Sequence, residues 1–127
     1  MDKKSFEKIV EEGIKMIPQE FLNKMNNIVI VVENNPTVEQ IKKIKMRKDQ
    51  VLFGLYEGIP KTKRVAYGQV IPDKITIFKN QIESVSKVEE KIKEIVKDTV
   101  WHEIGHHFGM TEEQIRAAEK KKKERKK

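Results

Sequence analysis

The sequence predicts a one-domain α+β chain, and three observations predict it. The N-terminal stretch is amphipathic at helical spacing, the middle is a series of short β-branched runs broken by glycine and proline, and a long helical stretch ends in all three histidines. At 127 residues the chain can hold one hydrophobic core but no second lobe, so a substrate cleft must be shallow or completed by a partner.

In chain order, Phe6, Ile9, Val10, Ile14 and Ile17 recur at helical spacing, which predicts a first helix over Ser5 to Ile17 with Ser5 as its cap. Pro18 opens a further short turn carrying Phe21, Leu22 and Met25, and Asn26 and Asn27 end it. Ile28 to Val32 is a continuous β-branched run, the pattern of a central strand buried on both faces. Asn35 and Pro36 suit the cap and first position of a short helix bearing Val38, Ile41 and Ile44. Val51 to Tyr56, Val65 to Ile71 and Lys74 to Lys79 read as two or three strands, with YEGIPKTKR as the mobile loop among them. The last element runs from Val88 to Phe108. Its residues Val88, Ile92, Ile95, Thr99, His102 and His106 are spaced 4, 3, 4, 3 and 4, which predicts that the two histidines continue the core-facing stripe.

Composition narrows the chemistry. The chain has no cysteine, so disulfides and thiolate ligands are excluded and a metal would be held by imidazole and carboxylate. No apolar run reaches signal-peptide or bilayer-spanning length, and the reading is a soluble cytoplasmic protein with no membrane partner. The formal charge of +7 resides in the end of the chain. Residues 116–127 carry eight Lys/Arg and two Glu, which leaves +1 for residues 1–115. We therefore divide the chain into a domain over 1–115 and a basic, frayed tail over 116–127. The alternative role for that tail is binding an anionic partner such as nucleic acid.

The chemistry concentrates in HEIGHHFGM, His102 to Met110. Two histidines four apart on a helix share a face and can present two ring nitrogens to one tetrahedral cation, and the glutamate between them stands beside that cation. This H-E-x-x-H arrangement assigns His102 and His106 as zinc ligands and Glu103 as the general base that takes a proton from the attacking water. Gly109 can end the helix in a left-handed conformation and turn the chain back. Glu112 then occupies the third-ligand position of H-E-x-x-H-x-x-G-x-x-H, with Glu in place of His. Glu113, Glu119, Asp98 and a ligand from the strand region are the alternatives. His107, rotated about 100° from His106, is read as a supporting or core residue rather than a ligand. Tyr56 can stabilise an oxyanion from its loop, against a reading as a packed aromatic residue.

Three stretches extend the motif into a resemblance: GLYEGIP at Gly54 to Pro60, PDKITIFKNQIE at Pro72 to Glu83, and DTVWHEIGHHFGMTEEQI at Asp98 to Ile115. Together with the preceding helix and strand they resemble the small bacterial zincin-like metallopeptidases over roughly residues 3–115, and the lysine-rich tail lies outside the resemblance. The resemblance implies a minimal zincin-like fold in which a small mixed sheet packs against an N-terminal helix and the long motif helix. It also implies zinc at His102 and His106 with Glu103 as base. Family members commonly carry Asp where this chain has Glu112.

The function expected is therefore zinc-dependent hydrolysis of a peptide or unfolded protein. In zincin-like folds an extended peptide lies along an edge strand above the motif helix, and Lys74, Ile75, Thr76 and Ile77, on the Lys74 to Lys79 strand, are the expected edge. The alternative is a catalytically inactive zinc-binding adaptor, associated with nucleic acid through its tail.

Overall fold

The computed structural model describes residues 1–23, 27–44, 51–58, 65–66, 69–70, 72–107, 113–114 and 116–117, with the side chains of 20, 65, 66, 69, 70, 106 and 107 outside that set. Helix α1 spans Lys3–Ile14 and is followed by the short α2, Gln19–Leu22. The cap of α1 is Asp2 rather than Ser5: the Asp2 carboxylate accepts from the Ser5 backbone N–H at 2.7 Å. The carboxylate takes the capping place because Ser5 already lies inside the first turn.

Strand β1 is Ile28–Glu33, and α3 is Val38–Lys43. Thr37 caps α3, where Asn35 had been expected. Its hydroxyl accepts from the Gln40 N–H while the Gln40 side chain accepts from the Thr37 N–H, a reciprocal capping box that Asn35 is too far upstream to form. Gln40 then donates to Glu57 at 2.8 Å, which ties α3 to β2, Gly54–Glu57. The expected strand Val65 to Ile71 is instead a short antiparallel pair, β3 Val65–Ala66 and β4 Gln69–Val70, with Val65 opposite Val70.

Strand β5, Asp73–Phe78, is the centre of the main sheet, whose order is β1-β5-β2. It runs parallel to β1 and antiparallel to β2, so the sheet is mixed. Two expectations are overturned here. Among the described residues the Ile28–Val32 run is an edge strand whose Val29 is 42% exposed, and the Lys74–Phe78 strand is central, with Ile75, Thr76 and Ile77 essentially inaccessible. Sheet order depends on which distant segment returns to pair, and strand composition does not encode it.

The short α4, Lys79–Glu83, leads to the long motif helix α5, Glu89–His107. Helices α1 and α5 cover one face of the sheet. Phe6, Ile9 and Val10 of α1 join Ile75 and Ile77 of β5 and Ile92, Val96, Val100 and Ile104 of α5 in one buried cluster. Gly13 permits the helix pairing, since a Cβ there would lie 2.9 Å from the Lys93 carbonyl oxygen. The buried line on α5 thus runs through Ile92, Val96, Val100 and Ile104, whereas Val88, expected on the inward stripe, precedes the helix and is 63% exposed. Among the described residues no helix is long and apolar enough to cross a membrane.

Candidate metal centre and cleft

The last turns of α5 are sided. Val100, Trp101, Ile104 and Gly105 are buried, with Trp101 packed against Phe21 at a ring separation of 5.2 Å. Asp98, Thr99, His102 and Glu103 are only half-buried. The expectation that the histidines continue the core-facing stripe is therefore corrected at His102, which lies on the accessible side.

The half-buried arc faces a cleft of about 330 Å³, whose other wall is Leu52, Phe53 and Gly54 at the start of β2. Gly54 sets the distance between the walls. A Cβ at this position would lie 2.7 Å from Thr99 Cγ2 and 3.1 Å from the Thr76 carbonyl oxygen, so only glycine allows the strand so near the helix. Thr99 contributes its methyl to this contact because its hydroxyl donates to the Ile95 carbonyl at 2.7 Å. In the sequence Gly54 reads as punctuation between strands. A lone glycine in a β-prone run is also the signal of a close backbone approach, and that is its role here.

His102 is oriented by its own helix. Its Nδ1 lies 2.7 Å from the Asp98 carbonyl oxygen, one turn earlier. A carbonyl only accepts, so the proton of the neutral ring resides on Nδ1 and the lone pair on Nε2, the nitrogen that a metal would take. This is the outer-shell arrangement typical of metal-binding histidines, and it fits a zinc ligand. Glu103 follows directly and lines the same cleft. His106 and His107 are in the last described turn of α5, His106 one turn beyond His102. Their side chains, together with Glu112 and Glu119, lie outside the described residues. Glu113 is exposed on a helical turn. Asp98 lines the cleft, and its carboxylate is 3.5 Å from Nζ of the largely buried Lys97.

The residues expected to bind substrate are not brought to this cleft. The backbone of Lys74 to Ile77 pairs with Val29 to Val32 on one side and with Gly54 to Glu57 on the other, which overturns their assignment as an edge. Tyr56 is likewise redirected: its hydroxyl donates to the buried carboxylate of Asp73, and its ring packs on the core. What sequence reasoning missed is the wall made by Leu52, Phe53 and Gly54. Its residues carry no motif, and only the antiparallel pairing of β2 with β5 puts them opposite Glu103.

In comparisons with known proteins, a family model described as zincin-like metallopeptidase matches residues 25–122. No curated protein matches the chain.

Proposed function

The chain belongs to the zincin-like metallopeptidase family, and from that premise we propose that it hydrolyses peptide bonds in a zinc-dependent reaction with Glu103 as general base. One observation carries the proposal: His102, held by the Asp98 carbonyl, and Glu103 line the same accessible cleft beside β2. His102 and His106 are the imidazole ligands in this reading, and Glu112 is the third. Zinc, when bound, supplies Lewis-acid activation of water and of the scissile carbonyl.

The protein's own groups do the rest. The Glu103 carboxylate accepts a proton from the attacking water as the new C–O bond forms, and gives that proton to the amine nitrogen as the C–N bond breaks. The half-buried setting of Glu103 limits competing solvent around the carboxylate while leaving room for a peptide. The substrate is an extended peptide or unfolded segment, and it lies along β2. That strand is an edge of the main sheet among the described residues, it borders the motif helix, and an added strand gains main-chain hydrogen bonds there.

The test is Glu103→Gln, which preserves shape and removes the base. The variant is expected to retain zinc and to lose about 10²- to 10⁴-fold in peptide cleavage. Equal cleavage by the two proteins overturns the mechanism.

A further inference from the structure

The cleft wall opposite Glu103 is apolar, although the family match assigns it no role. We infer that Leu52 and Phe53 select a bulky apolar side chain on the substrate residue flanking the scissile bond. The inference rests on the peptidase reading and specifies its substrate class.

Phe53 is the fixed part of the wall. Its carbonyl accepts from the Phe78 N–H at 2.9 Å, and its ring packs against the main core. Leu52 is half-buried, lies outside that core cluster among the described residues, and lines the cleft. At about 330 Å³ the cavity is near the lower end of the range for small-ligand sites, enough for one large side chain and its backbone. A substrate side chain such as Leu or Phe covers Leu52 and Phe53 and gains the transfer free energy of its apolar surface. An acidic side chain gains nothing from this apolar wall and would give up hydration to lie against it. Lysine is the informative competitor, since the carboxylates of Glu103 and Asp98 line the same cleft.

The experiment uses the full-length zinc-loaded protein. Cut sites in a library of unfolded peptides are mapped by mass spectrometry, and matched peptides then carry Ala, Leu, Phe, Lys or Asp beside the cut bond. Leu and Phe are expected to exceed Ala by about tenfold or more in kcat/KM, with Asp poorest. Leu52→Ala is expected to shrink the Leu-to-Ala ratio mainly through KM, and Leu52→Lys to raise the rank of Asp. The half-buried setting of Leu52 makes both variants compatible with folding, which thermal unfolding checks. A preference for Lys, or no preference, overturns the inference. If no peptide is cut, binding of the same peptides to the protein separates the two claims. An apolar preference in binding keeps the selecting wall and discards hydrolysis, and an absence of any such preference discards the wall.

Discussion

The ring of His102 is locked to the carbonyl of Asp98, 2.7 Å away on the preceding turn of the same helix. Because the acceptor is a backbone atom, the orientation of this imidazole is a property of the helix and does not wait for a metal. The Nδ1–H form is therefore expected to dominate in the metal-free protein. Nitrogen chemical shifts of the neutral His102 ring check this, and a dominant Nε2–H form would show that the carbonyl does not set the tautomer.

The width of the cleft rests on Gly54 and Thr99. Gly54→Ala would place a methyl 2.7 Å from Thr99 Cγ2, and it is expected to cost about 1–3 kcal/mol in stability, the usual range for overpacking. Thr99→Ser removes that methyl while keeping the hydroxyl that donates to Ile95. The double variant should regain much of the loss, although the Thr76 carbonyl at 3.1 Å sets a limit. Denaturant unfolding of the cycle measures this coupling, and additive effects would mean that the strand yields elsewhere.

How legible the site was in the sequence can be traced to interaction range. The i, i+4 histidines, the glutamate between them and the helix that carries them follow from spacing within a few residues. So does the amphipathic face of α1, whereas the buried line of the motif helix, Ile92, Val96, Val100 and Ile104, departs from the expected stripe after Ile92. The position of the cleft does not follow from spacing. It depends on β5 entering between β1 and β2, so that Leu52 to Gly54 come beside Thr99 and His102. The Ile28 to Val32 run looked central because every residue in it is apolar. Its place at the edge reflects the sheet order, with α1 lying against one face of it and Val29 left partly exposed. The Lys74 to Lys79 strand was the expected peptide-binding edge, yet the Lys74 side chain reaches out toward Glu57, 3.9 Å away, while the following residues are sealed in.

The α1–α5 contact carries an ion pair, Glu12 to Lys93 at 2.8 Å, with Glu90 adding a second carboxylate at 3.2 Å. The hydrogen bond that Glu12 accepts from Lys93 holds it below the usual glutamate value, and donating to Glu12 and Glu90 raises Lys93 above the usual lysine value. The signs follow by linkage. The Glu12 contribution is present above the unfolded-state glutamate value and is lost as pH falls through its depressed folded value. The Lys93 contribution is full below the unfolded-state lysine value and is lost as pH rises through its elevated folded value. Glu12→Gln is thus expected to be slightly less stable than the wild type at neutral pH and to converge with it in acid. Solvent reaches all three groups, most at Glu90 and least at Lys93, so salt should shrink the difference. A constant gap down through the acid limb of a pH series of unfolding curves would contradict this linkage.

The third zinc ligand can be argued by reach. Asp98 lines the cleft with His102, but it precedes His106 by eight residues, a rise of about 12 Å along a helix. Metal bonds to nitrogen and oxygen are about 2 Å long, so one ion held by both histidines is beyond the short aspartate side chain. The ligand must then come from a segment that approaches from another direction, as residues after the motif helix can. Among those, Glu112 has the motif spacing and Glu113 and Glu119 are the competitors. Zinc content per chain is the decisive measurement. Glu112→Ala is expected to fall well below one zinc per chain after dialysis against a weak chelator, whereas Glu113→Ala, Glu119→Ala and Asp98→Ala retain it. A full complement in Glu112→Ala removes that residue from the site, and the variant that loses zinc in its place identifies the ligand.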